Sequence, residues 1–339
     1  MSFISGARRG DRTAGRRALF AVGAAATLGL VLVGCGSSPA PRGSPKSASP
    51  ASITIGFSPP NQSSPALVAL AKSLTAYAAT KGARARVVDP NNASTTQVQQ
   101  LMSMIDLGEV RAIWAMAINP GTMAPVIAAA EAHDVGLLDT GTPQDYGAKA
   151  PGPGLSYSIV DYTKFGGEIG RALGRCINQR LSGKGEVLYV ANPAGSTGKT
   201  QEDAAFMAAL KQTSPRASIV ATTTSANDRL TAQENSLSAI QGHPGIDGVA
   251  GVTDEGSLGA LTALKLAGKT PTSTACAVGA GGSPEAISDV NKHLEYAYVV
   301  INFQADLEQN VNELLRMASN PAATGTQLYT PFTTYSKSP

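Results

Sequence analysis

Between residues 193 and 200 the chain reads Pro-Ala-Gly-Ser-Thr-Gly-Lys-Thr, a near match to the G-x-x-x-x-G-K-[ST] loop whose backbone N–H groups wrap a nucleotide's phosphates. Pro193 stands where the first glycine is required. Proline has no N–H to donate and cannot adopt positive φ, so no nucleotide site is expected there. Asp254-Glu255 follows a predicted strand; such a carboxylate pair can serve acid–base chemistry or cap the next helix. The three histidines, His133, His243 and His293, fall at predicted helix ends or in loops, where surface and capping roles are ordinary. No nucleophile–histidine–acid arrangement emerges, so the expectation is a binding protein without catalytic residues, metal or cofactor.

A different chemistry belongs to Cys35. Arg8, Arg9, Arg12, Arg16 and Arg17 precede an apolar or small stretch over 18–33, which closes in Leu32-Val33-Gly34-Cys35. A positive flank held in the cytoplasm, an apolar segment that partitions into lipid, and small residues where a peptidase must reach the backbone define an export signal. Residues 1–34 are therefore read as a lipoprotein signal peptide, and Cys35 as the residue whose sulfur takes the diacylglycerol. A transmembrane helix is the competing reading, because the stretch approaches the roughly 18 residues a span requires; Gly36-Ser37-Ser38 after the cysteine favours the lipobox. Arg16-Arg17 before Ala18-Leu19-Phe20 also resembles a twin-arginine signal, which leaves two export routes open.

Removing the leader changes the charge. The whole chain carries +3, but residues 1–34 hold five arginines and one aspartate, so the remainder is near −1. The basicity belongs to export, and no nucleic-acid partner is expected. Residues 36–51, GSSPAPRGSPKSASPA, lack the apolar side chains that would offset the entropy of ordering, so 35–51 reads as a lipidated cysteine and a tether. Beyond Cys35 only Cys176 and Cys276 remain. In an oxidising compartment the pair could bridge, or stay as two buried thiols.

The elements that must position these groups alternate. Strand signals at 52–57, 85–88, 111–117 and 135–138 are separated by helical patterns at 66–81, 95–107 and 123–133. After Gly154 the rhythm restarts, with helices predicted at 165–181, 201–212, 232–241 and 256–267 and strands at 186–191, 218–223, 248–252 and 275–279. Such alternation predicts parallel, doubly wound sheets. Two similar halves imply two lobes, with ligand beyond the carboxyl ends of the strands.

The segments ITIGFSPPNQ, VRAIWAMAINP, VGLLDTGTP, DYTKFGGEIGRALG, GEVLYVANPAGSTGKTQEDAAFMAAL, NDRLTAQENSLSAI, GVAGVTDEGSLGALTALKLAGK and AVGAGGSPEAI resemble, in order, the periplasmic binding protein type 1 family, the ribose-binding group. The resemblance implies two doubly wound α/β lobes joined by a three-strand hinge. Lobe one would span 52–158 plus 303–326, and lobe two 159–302 plus 327–339. The same fold serves lactose-repressor-type regulators, which carry a helix-turn-helix ahead of the body; here a leader, lipobox and tether take that place.

By the same resemblance the cleft residues are Asn61, Asn119, Asp139, Thr140, Asp161, Tyr162, Lys199, Thr200, Asp228, Arg229, Asp254 and Asn302. The chain departs from the family's sugar-binding pattern at several of these. The clamp arginine is replaced by Thr140 and the second-lobe arginine by Thr200. Thr253 stands for an asparagine, Gly281 for the hinge-side aspartate, and Ser64-Pro65 for aromatic residues. The glutamine near the last crossover falls at 300–302. A small polar ligand is therefore expected, a sugar other than ribose or a polyol first and another small polar metabolite after them. An ABC permease is the expected membrane partner, with the lipid anchor as a second attachment to the membrane. A lipoprotein that signals occupancy to a membrane receptor is the alternative, and neighbouring permease or sensor-kinase genes would discriminate them.

Overall fold

The computed structural model describes residues 53–224 and 228–336; the leader, Cys35 and the tether lie outside the described residues. The first half runs β1 (Thr54–Ser58), α1 (Pro65–Thr80), β2 (Arg84–Val87), α2 (Ser94–Asp106), β3 (Ala112–Ala115), α3 (Ala124–Ala132), β4 (Gly136–Thr140) and β5 (Leu155–Ile159). The second half runs α4 (Tyr162–Arg180), β6 (Glu186–Ala191), α5 (Lys199–Thr213), β7 (Ser218–Thr224), α6 (Arg229–Gly242), β8 (Ile246–Gly251), α7 (Asp254–Leu266), β9 (Cys276–Gly281), α8 (Pro284–Asn291) and β10 (Ala297–Ile301). The chain then returns through α9 (Phe303–Ser319) and β11 (Gln327–Tyr329) and ends in β12 (Phe332–Ser336).

Two six-stranded sheets result, ordered β11-β5-β4-β3-β1-β2 and β12-β10-β9-β8-β6-β7. The pairings in the first are all parallel; in the second only β12 is antiparallel, against β10. Each sheet carries helices on both faces, which is why its inner strands are apolar nearly throughout. In β3, Ala112 and Trp114 face the cluster under α1 and α9, whereas Ile113 and Ala115 face the cluster under α2 and α3. None of the five apolar clusters among the described residues contains side chains from both lobes' sheets.

The expected boundary of the second lobe needs correction. The resemblance places 327–339 in lobe two, yet Gln327, Leu328 and Tyr329 pair with Tyr157, Ser158 and Ile159 in the first sheet. The third crossing therefore lies between Tyr329 and Phe332, and 337–339 fall outside the described residues. The three crossings are tied together: the Thr330 N–H donates to the Ile159 carbonyl at 3.0 Å and the Asn302 N–H to the Pro331 carbonyl at 2.8 Å.

Two features fix lobe two internally. Gly166, Gly170 and Gly174 recur every four residues along one face of α4. A Cβ at the first two would collide with the carbonyls of Glu202 and Phe206, and one at the third with Thr213. The backbones of α4 and α5 thus touch, which fixes where the first turn of α5 stands. The second feature is a disulfide between Cys176 on α4 and Cys276 on β9, with Cα atoms 5.8 Å apart.

Candidate ligand-binding cleft

In each sheet the parallel strands point their carboxyl ends toward the crossings, so the polar residues of the strand–helix loops gather on the facing rims of the two lobes. The structure assigns most of the twelve sequence-derived candidates to local tasks on those rims. The Asn61 side-chain oxygen accepts from the Ser63 and Ser64 N–H groups at 3.1 and 2.9 Å, and its amide donates to Asn92 at 2.9 Å. Asn119 accepts from Gly121 N at 3.0 Å. Asp161 caps α4 through Lys164 N (3.0 Å), Asp228 caps α6 through Thr231 N (2.7 Å), and Asn302 caps α9 through Ala305 N (3.0 Å). Each satisfies an N–H that a helix start leaves without an intrahelical partner.

The cations are paired as well. Arg229 meets Glu255 at 2.7 Å and Glu285 at 2.9 Å, linking the starts of α6, α7 and α8. Lys199 meets Asp203 at 2.5 Å, and Asp203 also accepts from the Tyr189 hydroxyl at 2.8 Å. The loop that nearly spells a phosphate cradle therefore directs its lysine onto its own helix. Thr200 stays exposed on the first turn of α5.

Asp254 is placed differently. Its carboxylate accepts from Ser283 N at 2.8 Å, from Gly282 N at 3.2 Å and from the Tyr298 hydroxyl. A Cβ at Gly281 would collide with that same carboxylate. The absence of a side chain at 281 is thus matched by an aspartate that enters the vacated space from the neighbouring strand end. Burial raises the Asp254 pKa, with the two backbone donors opposing that shift.

Asp139 sits at the end of β4, fully buried, and neither oxygen has a hydrogen-bond partner of good geometry. The nearby Tyr146 hydroxyl donates instead to the Thr140 carbonyl at 2.8 Å, while the Thr140 hydroxyl accepts from the Trp114 indole at 3.3 Å. Desolvation pushes the Asp139 pKa well above the ordinary carboxylate range, an effect that Tyr146 only partly opposes. The same burial, with Asp139 beside it, pushes Tyr157 up to about 12.

Tyr162 lies over Gly198, where any side chain would collide with its ring. It lines a hollow of about 190 Å³ beside the hinge with Thr142, Asp145, Gln201 and Tyr329. A second hollow, about 410 Å³, opens between the starts of α1 and α9 against Leu67, Leu70, Met116 and Phe303. A third, which includes Glu131, Asp134 and Gly152, lies at the amino ends of β4 and β5, away from the cleft. Among the described residues no group of three or more His, Cys, Asp or Glu side chains could hold a metal ion.

A family model described as a periplasmic binding protein domain matches residues 55–319. The chain belongs to that family. It is 27% identical over 277 residues to the ribose import binding protein of Bacillus subtilis (strain 168), covering 80% of this chain and 84% of that one. A xylitol-binding protein of Mycolicibacterium smegmatis is 28% identical over 184 residues, 53% of this chain and 49% of the relative. Among solved structures, an ABC transporter periplasmic solute-binding protein of Actinobacillus succinogenes 130z with bound D-allose superposes with a TM-score of 0.70 at 18% identity, covering 84% of this chain and 97% of that one.

In this periplasmic binding protein, sequence reasoning missed Thr142, Asp145, Gln201, Met116, Phe303 and Tyr329. The first two carried a local signal: Asp145 accepts from both the N–H and the hydroxyl of Thr142, at 2.7 and 2.8 Å, which is a capping pair three residues apart. Phe303 had none, because an aromatic residue after a strand reads equally well as core. Glu202 was missed too. Burial moves its carboxyl up to about 7, with Asp203 adding to the shift and the Asn192 amide and Lys199 opposing it.

Proposed function

We propose that this protein captures a sugar or polyol between its lobes outside the cytoplasmic membrane, to which lipidated Cys35 holds it, and delivers the ligand to an ABC permease. The observation that carries this reading is the separation of the cores: the apolar clusters keep to one lobe or the other. Among the described residues three crossings join the lobes, so closure changes hinge torsions and leaves both cores intact. A ligand touching both rims stabilises the closed arrangement by its differential affinity for the two states. Lobe two offers Asp254, Tyr162 and Thr200. Lobe one offers the 140–145 turn, with Asp139 beneath Tyr146. Asn61, Asn119, Asp161, Asp228 and Asn302 hold the loops that carry these groups, and Lys199 and Arg229 shape the rim through their own ion pairs.

The names of the two curated relatives, a ribose import binding protein and a xylitol-binding protein, support a polyhydroxylated ligand. With Thr140 and Thr200 at the arginine positions, fewer charge-assisted hydrogen bonds are available, so hydroxyl recognition falls to Asp254 and neutral groups. A thermal-shift screen of pentoses, hexoses and polyols tests the reading. A ligand that binds only the folded chain stabilises it by about 2.7 kcal/mol at a hundredfold excess over Kd. Asp254→Asn should then weaken the best ligand by roughly tenfold to hundredfold, the worth of a hydrogen bond to a charged group. No stabilisation by any member of the panel would refute sugar or polyol capture. For the anchor, Cys35→Ser should move the protein from the membrane fraction to the soluble one; unchanged membrane retention would remove the lipid.

A further inference from the structure

The hollow between the starts of α1 and α9 differs from the rest of the cleft. Its walls include Leu67, Leu70, Met116, Phe303 and Leu307, and no charged side chain lines it. Its volume of about 410 Å³ falls within the roughly 300–1,000 Å³ of small-molecule sites, whereas the hinge hollow of about 190 Å³ does not. Phe303 is 60% exposed. Its ring is the wall shared with lobe two: a Cβ on Gly282 would approach it to 2.6 Å, and the Gly282 N–H donates to the Asp254 carboxylate at 3.2 Å. One ring thus separates a carboxylate suited to hydroxyls from a groove suited to hydrocarbon.

Resting on the capture reading above, we infer that the ligand is amphiphilic, a sugar or polyol bearing an apolar substituent, with its hydroxyls at Asp254 and its apolar arm in the groove beyond Phe303. A fully hydroxylated ligand leaves Leu67, Leu70 and Met116 in water. An alkyl arm removes that surface from water and tightens binding by about fourfold per methylene. Continuity through Phe303 sets the occupant: the groove opens at the rim where the hydroxylated part must sit, so a single ligand reaches both.

The test compares D-ribose and its methyl and n-butyl β-D-ribofuranosides, and xylitol and its 1-O-methyl and 1-O-butyl ethers, by calorimetry on the mature chain. In at least one series the butyl compound should bind more than tenfold tighter than the methyl compound, as the added methylenes require. Ala69→Trp and, independently, Ser73→Trp fill the groove from exposed positions on α1; each should abolish the butyl advantage and leave the methyl compound's affinity in place. Equal or weaker binding of the butyl compounds overturns the inference while sugar capture stands. An advantage that survives both tryptophans also overturns it, because the arm then lies elsewhere. Binding of neither series overturns the inference together with the capture of these ligands.

Discussion

The facing rims of the two lobes are assembled from the same parts, strand ends followed by helix starts, yet they use their side chains differently. On lobe two, α4, α6, α7 and α8 each begin with a capping side chain, namely Asp161, Asp228, Thr253 and Ser283. On lobe one, α1, α2 and α3 begin at Ser64, Ala93 and Met123 without a side-chain cap; only the returning α9 has one, from Asn302. A cap contributes about 1 kcal/mol to its helix and leaves that oxygen less available to a ligand. The polar rim of lobe two is therefore largely committed to its own helix starts, whereas on lobe one Asn61, Asn119 and the Thr142–Asp145 pair hold turns, and the hydrocarbon of the groove lies beside them. The difference warns against reading a polar residue at a strand end as a ligand contact before its helix start has been considered.

The sharpest way to break the comparison is to loosen one lobe only. The disulfide lies wholly within lobe two and closes a loop of 100 residues, for which chain entropy gives about 4.7 kcal/mol. Trp114, the chain's single tryptophan, sits in the core of lobe one against Phe57, ring centroids 5.3 Å apart. In the Cys176→Ser/Cys276→Ser variant, urea unfolding followed by circular dichroism should gain an early lobe-two transition. Trp114 fluorescence should keep its midpoint. A common shift of both signals would mean that the lobes unfold as one unit.

A smaller effect is expected at Glu202. Its folded pKa of about 7 lies above the ordinary 4.5, so the folded state binds the proton more tightly than the unfolded state. Stability therefore falls as pH rises from about 4.5 to about 7 and is level beyond, by at most about 3 kcal/mol. Glu202→Gln should flatten that slope and be the more stable form at neutral pH. Parallel pH profiles for the variant and the parent chain would contradict the burial argument.

The smallest effect belongs to Arg229. Its partners Glu255 and Glu285 are partly exposed, and such pairs contribute about 0–1 kcal/mol. Arg229→Met should lower stability by less than about 1 kcal/mol and leave ligand affinity unchanged. A large loss of affinity would return Arg229 to the contact set.

Much of the architecture was legible in the sequence, because buried parallel strands such as VLYV at 187–190 and helices such as 66–81 announce themselves through apolar pattern. The apolar pattern predicts second-lobe helix starts at 165, 201, 232 and 256; the helices start at Tyr162, Lys199, Arg229 and Asp254. Each predicted start lies near the first strongly helical pattern, which leaves Asp161 and Asp228 looking like loop residues free for a ligand when they cap α4 and α6. The strand β5, LSYSI, escaped notice because its inward face carries Ser156 and Ser158, buried partly through the Ser156 hydroxyl's bond to Glu313 at 2.5 Å. The disulfide is not legible in the sequence, because spacing alone does not bring two cysteines together. Phe303, Met116 and Leu67 could not be assigned to a groove, since whether an apolar residue meets core or cleft depends on how α1 and α9 are set against each other.

Hinged closure around a bound solute is tested most directly by small-angle scattering of the protein, titrated with the ligand that calorimetry shows to bind. The account predicts a fall in the radius of gyration that tracks occupancy, and the same fall in Asp254→Asn only at correspondingly higher ligand concentration. A radius of gyration that stays constant at full occupancy would contradict it.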